Sequence, residues 1–483
     1  MPRPFRHSAP LEIEGAELRD LVSACMDRLA PWLDGLKEQP THSLDGSHKV
    51  ARGFDEPMPE HGVPFRRVLA RLFDRAIPVS LNVASPGYLG YIPGGGLPST
   101  ALADLIADIT NRYTGLWMPA PGLVQLEISV IRWFCSLAGY GPSSGGWICS
   151  GGSMANLAAV VAAREAKLGE NIDGGVLYTS EGAHHSIAKA ARVAGFPRRA
   201  MRVVPVDESF RLRRDDLARA VAEDRAAGRR PFMVVAQAGS TSVGAVDDLA
   251  ALADFCAAVG LWLHVDAAYG GFFLLTERGR AALAGIERAD SIALDPHKGL
   301  FLPYGTGCLL VKELATLRAA FAERAAYLPP SEEDEDHWDF ADLGLELSRP
   351  ARGLRIWLPL WLHGASAFRD ALDEKLDLAR SAAARVRALP GVRVVAEPEL
   401  SLFAFRVEPS EMKAAELDAF NRRVLARINQ RKRLMLTGTT LRDPALGEEV
   451  FVIRVCVLCF RTHADRIDML LEDLSDAIAD PRG

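Results

Sequence analysis

The stretch L-W-L-H-V-D-A-A-Y-G-G, residues 261–271, joins a short apolar run to an acidic residue and a pair of glycines. Its first six residues have the length and composition of a buried β-strand that ends at Asp266. The segment before it, Leu249–Val259, has the pattern of a helix. This stretch therefore predicts a helix that leads into a buried strand, which is the repeating unit of an α/β fold.

The same alternation of apolar strands and helices recurs between about residues 146 and 311. Further strands are predicted at W-I-C (147–149), V-L-Y-T (176–179) and P-F-M-V-V-A (231–236). Further helices are predicted at 154–167, at Ser186–Val193 and from about residue 215. Continuous apolar strands that alternate with helices indicate a mostly parallel sheet with helices on both faces. We therefore predict an α/β fold for the large central part of the chain.

The flanking segments differ from this centre and predict three parts: residues 1–85, 86–360 and 361–483. The first is a helical segment with an apolar stripe formed by Leu18, Leu21, Val22, Cys25, Leu29 and Trp32. The last has helices at 369–389, 412–428 and 464–478 and strands at Val392–Ala396, 401–405 and 450–457. This mixture predicts a smaller α+β C-terminal domain.

Composition excludes several classes of protein. Hydrophobic residues make up 49% and charged residues 24%, which is the balance of a globular chain rather than a disordered one. The 56 basic and 62 acidic side chains give a net charge of −6, so neither nucleic acid nor an anionic membrane is the expected partner. Seven scattered cysteines, no secretory signal and no apolar run of membrane-spanning length predict a cytoplasmic protein.

A candidate anion site lies in S-G-G-S-M-A-N, residues 150–156, between a predicted strand and a predicted helix. Glycines let the backbone approach a ligand closely, hydroxyls donate hydrogen bonds, and a helix N-terminus attracts negative charge. A phosphate fits such a site. A plain strand-to-helix turn explains this motif equally well when it is taken alone.

Three further motifs follow in the chain: A-H-H-S (183–186), Asp266 at its strand end, and D-P-H-K (295–298). Each has a structural alternative, which is a helix cap, an ion pair or a buried structural lysine. Desolvation is expected to lower the pKa of Lys298 toward nucleophilic use. In the order phosphate loop, histidine, acid and lysine, the four motifs match pyridoxal phosphate, which needs an anion cradle, a stacking face, a carboxylate for its ring nitrogen and an amine for a Schiff base.

With these motifs, H-V-D-A-A-Y and D-P-H-K above all, the chain resembles the group II pyridoxal-phosphate-dependent amino-acid decarboxylases, from about residue 86 into the C-terminal domain. The resemblance implies an aspartate-aminotransferase-type fold (fold type I) and a homodimer with active sites at the subunit interface. It also implies α-decarboxylation of an L-amino acid. A non-aromatic amino-acid decarboxylase, an aldehyde synthase of the same fold and a catalytically inactive binding homologue are the alternatives.

The resemblance also implies roles for individual residues. Lys298 carries the cofactor, Asp266 pairs with the pyridinium nitrogen, and His184 stacks on the ring and borders the substrate carboxylate. The other predicted cofactor contacts are Gly152, Ser153, Thr241, Ala268, Asp295 and His297.

The segment P-G-Y-L-G-Y-I-P-G-G-G, residues 86–96, resembles the one that lines the substrate side-chain pocket of the aromatic enzymes. Tyr91, Ile92 and Pro93 are predicted there, with Ile92 in place of a second aromatic residue. Trp117 is predicted to reach the site from the partner subunit, with interface packing as an equal alternative. No Arg or Lys occurs between residues 86 and 110, so an aromatic substrate is favoured over an acidic one.

The acidic run S-E-E-D-E-D-H-W-D, residues 331–339, predicts a mobile loop. In the aromatic decarboxylases such a loop brings a tyrosine that helps to return a proton to Cα. Residues 334–344 contain no tyrosine here, and Phe340, or Trp338 in a shifted register, is predicted to occupy its place. His337 or a water molecule is the alternative acid. Without a proton donor, oxygen would intercept the carbanion and the product would be an aldehyde.

Overall fold

The computed structural model describes residues 11–323 and 337–480. A seven-stranded sheet in the order β1-β7-β6-β5-β4-β2-β3 forms its centre. Only β7 runs against the other six strands, pairing antiparallel with both β1 and β6. The predicted mostly parallel sheet is thus confirmed. Its strands are β1 (Gly145–Cys149), β2 (Gly175–Ser180), β3 (Met201–Val204), β4 (Arg230–Gln237), β5 (Trp262–Asp266), β6 (Ser291–Leu294) and β7 (Gly307–Val311).

Helices precede this sheet and alternate with its strands. Every residue of β1, β2, β5, β6 and β7 is buried, because helices cover both faces. The helices before β1 are α1 (Gly15–Asp34), α2 (Ser47–Arg52), α3 (Phe65–Arg71), α4 (Thr100–Thr110) and α5 (Pro121–Leu137). Those between β1 and residue 323 are α6 (Gly152–Leu168), α7 (Ser186–Val193), α8 (Arg214–Ala226), α9 (Leu249–Val259), α10 (Glu277–Ala282), α11 (Pro296–Gly299) and α12 (Ala315–Phe321).

A second, four-stranded antiparallel sheet follows in the C-terminal part, in the order β10-β11-β9-β8. Its strands are β8 (Val392–Ala396), β9 (Leu402–Val407), β10 (Thr437–Asp443) and β11 (Glu448–Cys456). The helices of this part are α13 (Arg352–Arg387), α14 (Ala414–Gln430) and α15 (Ala464–Ala479). Phe403, Val424 and Leu470 join the sheet and two of these helices in one buried cluster. The predicted boundary between residues 360 and 361 falls inside α13, close to its kink at Gly364, and the division into parts stays a prediction.

The N-terminal helix α1 forms as its apolar stripe predicts, yet the chain buries none of its residues. Leu29 and Leu33 are 42% and 38% exposed. The stripe is therefore only partly covered within one copy of the chain, since Leu29 is exposed and its other members are half-buried. None of the described helices is both long enough and apolar enough to cross a membrane.

Candidate active site

A cavity of ≈ 310 Å³ opens at the carboxyl ends of β1, β2, β4, β5 and β6. Open α/β sheets bind their ligands at this edge. Ten of the predicted site residues line the cavity together: Ile92, Gly152, Ser153, His184, Thr241, Asp266, Ala268, Asp295, His297 and Lys298. The structure thus brings residues from six separate segments of the chain to one place.

The anion cradle is the turn from β1 into α6. No described side chain caps this helix, so its N-terminus faces the cavity without a competing acceptor. A Cβ added to Gly152 would lie 3.0 Å from Asp295 Oδ2 and 3.1 Å from the Cβ of Ala268. Glycine therefore keeps the floor of the cavity open where a phosphate has to approach the backbone.

Asp266 ends β5 with its side chain at the cavity and is only 5% exposed. Its Oδ2 accepts a hydrogen bond from Asn156 Nδ2 at 2.9 Å, and its Oδ1 accepts one from the amide of Ala268 at 3.2 Å. Among the described residues, no cation forms an ion pair with it. A buried carboxylate held by neutral donors alone is completed by a cationic ligand. A protonated pyridine nitrogen has that chemistry, so the site fits pyridoxal phosphate.

Lys298 lies in the short helix α11, which follows β6 and begins at Pro296. Its Nζ lies 2.8 Å from Asp295 Oδ2. Burial alone would lower the pKa of Lys298, but the attraction of Asp295, and more weakly of Asp266, outweighs it and raises that pKa above its usual value. The expectation of a lowered pKa is therefore wrong for this state of the site, because the contributions of the carboxylates together exceed desolvation, the largest single one.

His297 and Asp295 form the wall next to Lys298. The Nδ1–H group of His297 donates to the carbonyl of Thr306 at 2.6 Å, and its Nε2 lies 3.7 Å from Asp295 Oδ2. The second oxygen of Asp295, Oδ1, is buried and has no hydrogen-bond partner among the described residues. An acceptor that lacks a partner beside the anion cradle is unfavourable. Asp295 is therefore better suited to pair with Lys298 than to lie against a phosphate.

His184 lies between β2 and α7, half-buried at the cavity. Its Nδ1 is 2.7 Å from Ser186 Oγ. Burial, together with the neighbouring His185, lowers the pKa of His184. The ring is therefore neutral near pH 7, and a flat neutral imidazole suits stacking on an aromatic cofactor.

Sequence reasoning missed several residues that the structure adds to the site. Asn156, Gln237, Gly239 and Tyr269 also line the cavity. Asn156 stands within the quoted phosphate motif, but nothing local indicates that its amide faces Asp266, 110 positions further along the chain. Tyr269 is buried and exchanges hydrogen bonds with Ser401, so it joins the cavity to the C-terminal part.

Three residues of the predicted substrate pocket do not line this cavity within one chain. Tyr91 is 58% exposed and has a φ of 51°, while Pro93 is buried. Trp117 stacks on His337, with ring centroids 3.8 Å apart, and its amide donates to Asp339 Oδ1 at 2.8 Å. Of these segments, Ile92 alone reaches the cavity, so the roles of Tyr91, Pro93 and Trp117 stay predictions.

The structure does not place Phe340 over the cofactor site. Its ring is fully buried, lies in a turn at Phe340–Asp342 and packs under the guanidinium of Arg349, 4.6 Å from the ring centroid. Trp338 is also buried, edge-on to Phe340. Within one chain both rings are part of the core, and the catalytic role of Phe340 stays a prediction. The acidic part of the loop, residues 331–336, lies outside the described residues.

Within the described ranges 11–323 and 337–480, no group of three His, Cys, Asp or Glu side chains is arranged to hold a metal ion. The candidate site is thus built from one lysine, two carboxylates, two histidines and the start of a helix.

Comparisons with known proteins agree with this arrangement. The profile described as "Pyridoxal-dependent decarboxylase conserved domain" matches residues 48–408. The aromatic-L-amino-acid decarboxylase of Bacillus atrophaeus is 34% identical over 477 residues, which are 98% of each chain. Oryza sativa TDC, solved with PLP and tryptamine, has the same fold at 24% identity, with a TM-score of 0.91 over 98% of this chain and 99% of that one.

Other relatives differ in what they act on or make. An L-2,4-diaminobutyrate decarboxylase of Acinetobacter baumannii is 28% identical over 85% of this chain and 84% of its own length. A phenylacetaldehyde synthase of Arabidopsis thaliana is 26% identical over 89% of this chain and 90% of its own length. Similarity alone therefore does not resolve the substrate.

The sheet, Lys298, the anion cradle at the start of α6 and the buried carboxylate of Asp266 define a fold type I pyridoxal-phosphate enzyme. The match of the family profile over residues 48–408 narrows this class of enzymes to one family. This chain belongs to the pyridoxal-dependent decarboxylase family and is a carboxy-lyase that acts on amino acids.

Proposed function

We propose that this enzyme removes the α-carboxylate of an aromatic L-amino acid as carbon dioxide and releases the amine. The observation that carries this proposal is that Lys298 and the carboxylate of Asp266, which has no cationic partner among the described residues, line one cavity. Bound pyridoxal phosphate supplies an electron-withdrawing ring that accepts the electrons of the bond broken at Cα.

The residues of the cavity divide the binding work among them. Lys298 would hold the cofactor by a Schiff base, and Asp266 would keep its ring nitrogen protonated. Gly152 and Ser153, at the start of α6, would bind the phosphate. Five further lining residues would hold the two faces and the edge of the ring: His184, Thr241, Ala268, Asp295 and His297.

The cavity favours an uncharged substrate side chain. The apolar Ile92 lines it, and within the part of the chain that the structure describes its lining includes no arginine and no lysine other than Lys298. The buried Arg454 contacts Thr241, which lines the cavity. Its guanidinium is already used, because it donates to the carbonyls of Thr241 and Ser242 at 2.6 and 2.7 Å and to the hydroxyl of Thr437 at 2.9 Å. A carboxylate on the substrate side chain would have to displace these contacts.

We therefore expect carbon dioxide release from phenylalanine, tyrosine or tryptophan to exceed that from glutamate and 2,4-diaminobutyrate. Initial rates with each L-amino acid at equal concentration, measured by trapping carbon dioxide, test this. The Lys298→Ala protein gives the background. A faster rate with either non-aromatic substrate than with all three aromatic ones would reject the aromatic assignment.

A second candidate function is aldehyde synthesis, because residues 334–344 contain no tyrosine and the ring of Phe340 has no proton to donate. In that reaction the amino acid, oxygen and water become aldehyde, carbon dioxide, ammonia and hydrogen peroxide. Peroxide and amine are to be measured in air and under nitrogen. Peroxide that matches carbon dioxide one to one assigns the synthase, whereas amine alone, unchanged without oxygen, assigns the simple decarboxylase.

The ion pair of Asp295 with Lys298 predicts a pH effect on cofactor loading. Only an uncharged amine attacks an aldehyde, and Asp295 raises the pKa of Lys298, so loading of the free enzyme needs a higher pH. In Asp295→Asn that pKa falls, and we expect the pH midpoint of the loading rate to move down. Absorbance changes after pyridoxal phosphate is mixed with apoenzyme at several pH values measure it. A midpoint that stays or rises would show that Asp295 does not control the lysine.

We also infer that two copies of the chain form the working enzyme. Exposed apolar side chains lie on α1 and α4, including Leu33, Leu102 and Ile106, and such surfaces are rare on monomers. Sedimentation at several concentrations tests this assembly. The seven cysteines, all free, fit a reducing compartment, and we infer a cytoplasmic location on that basis.

A further inference from the structure

A buried chain of hydrogen bonds leads to the site from residues that the proposed roles leave unused. His264 in β5 and Ser291 in β6 are 0% exposed, and Asn156 in α6 is 1% exposed. Trp262 Nε1 donates to Ser291 Oγ at 2.9 Å, and Ser291 Oγ lies 2.8 Å from His264 Nδ1. His264 Nε2 lies 2.9 Å from Asn156 Oδ1, and Asn156 contacts Asp266.

The chemistry of the two ends fixes the direction of every bond. An ionised carboxylate only accepts, so Asn156 must present its NH₂ group to Asp266 and its carbonyl to His264. The Nε2 of His264 must then carry a hydrogen. Burial lowers the pKa of His264 to about 4, so the ring is neutral and its Nδ1 accepts. Ser291 donates to that nitrogen and accepts from the indole of Trp262, which only donates.

A branch of the same chain reaches His184. Asn156 Nδ2 also donates to Ser186 Oγ at 2.9 Å, so this oxygen is an acceptor on that side. The Ser186 hydroxyl then has its own hydrogen for His184 Nδ1, 2.7 Å away, and the amide of Ser186 donates to the same nitrogen at 3.3 Å. Two donors meet at Nδ1. The neutral ring of His184 must therefore hold its hydrogen on Nε2.

We propose that His264 and Asn156 are positioning residues that orient both sides of the cofactor site through one directed hydrogen-bond chain. One branch presents two neutral donors to Asp266 and leaves its charge for the ring nitrogen. The other makes His184 an Nε2–H donor toward the cavity, the correct group to hold a substrate carboxylate and the wrong one to remove a proton. The use of both ends rests on the proposed function, whereas the direction of the chain does not.

The first test reads the tautomers in the wild-type protein and uses variants only to assign the signals. In wild-type protein labelled with ¹⁵N-histidine, long-range NMR spectra at pH 7, with and without pyridoxal phosphate, distinguish the two neutral tautomers. His184→Gln and His264→Gln identify the two signals. We expect both rings to be Nε2–H. A ring that is Nδ1–H or doubly protonated at either position would overturn the proposal, even if the protein binds no cofactor.

The second test measures the affinity of the apoenzyme for pyridoxal phosphate. His264→Leu removes the donor to Asn156. We expect the affinity for pyridoxal phosphate to fall about tenfold, which is the effect of weakening one hydrogen bond to a charged group. His264→Gln keeps an amide donor at the Nε2 position and should recover most of the affinity. Thr179→Val, which removes a buried hydrogen bond of β2 to Val235 outside the chain, is the control.

A purely structural role would give a different pattern. His264→Leu would then lower the melting temperature as Thr179→Val does, with wild-type affinity, and Gln would be no better than Leu; either result overturns the proposal. If the Leu protein does not fold, Ser291→Ala removes only the hydroxyl at the start of the chain and takes its place, with the tautomer of His264 as the readout. A wild-type protein that binds no pyridoxal phosphate would instead contradict the proposed function.

Discussion

Replacement of Lys298 by alanine is expected to reduce carbon dioxide release to background and to abolish the stable attachment of pyridoxal phosphate. Lys298 is the only lysine that lines the cavity among the described residues, and its Nζ faces Asp295 at 2.8 Å. Among the described residues, no other amine is placed to form the Schiff base. Turnover with each aromatic amino acid, and the absorbance of the purified protein above the protein band, measure the two effects.

The control is Lys189→Ala, which removes an exposed lysine of α7 close to the site and should leave both readouts unchanged. Borohydride reduction of wild-type protein followed by peptide mapping should mark Lys298. Label on a different lysine, or full activity in Lys298→Ala, would refute the assignment of the whole site.

The sheet was largely predictable because its strands are short, apolar and separated by helices. Two helices, Ser186–Val193 and Leu249–Val259, begin and end where their sequence patterns predict. The reversed direction of β7 was not predictable from its residues, since an apolar strand buried on both faces looks the same in either direction. The connection after β6 contains only the four-residue helix α11, which is too short for the usual crossover, and this explains the reversal.

The site was predictable where a residue type and its position in a motif decide its use, as for Lys298 and Asp266. It was not predictable where the partner is far away in the chain. Asn156 has the appearance of an ordinary polar residue in a helix, and only the folded structure shows that it joins His264 to Asp266.

Phe340 is a residue for which the sequence offered two readings. The stretch W-D-F-A-D-L, residues 338–343, buries Trp338, Phe340 and Leu343, as hydrophobic residues in a core are expected to be buried. In one chain the ring of Phe340 packs against Arg349, and its role in proton transfer stays a prediction.

The largest effect from a change of a single heavy atom is expected in Asp266→Asn. Asparagine has nearly the same size, so the fold should persist, but it offers no negative charge to keep the ring nitrogen protonated. Loss of a preorganised charge in a site shielded from water typically costs about 2.7–4 kcal/mol of transition-state stabilisation, or about 10²–10³ in rate. We expect kcat to fall by that factor, while the melting temperature of the apoprotein changes little.

Asp290→Asn is the matched control, because Asp290 is a partly buried carboxylate at the opposite end of the neighbouring strands that accepts from the amide of Leu263 at 2.7 Å. It should affect stability more than kcat. The two variants therefore separate charge at the ring nitrogen from general loss of a buried acid. If Asp266→Asn turned over at close to the wild-type rate, the carboxylate of Asp266 would have a structural role only. Its contacts with Asn156 and the amide of Ala268, and not a contact with the cofactor, would then be what it is needed for.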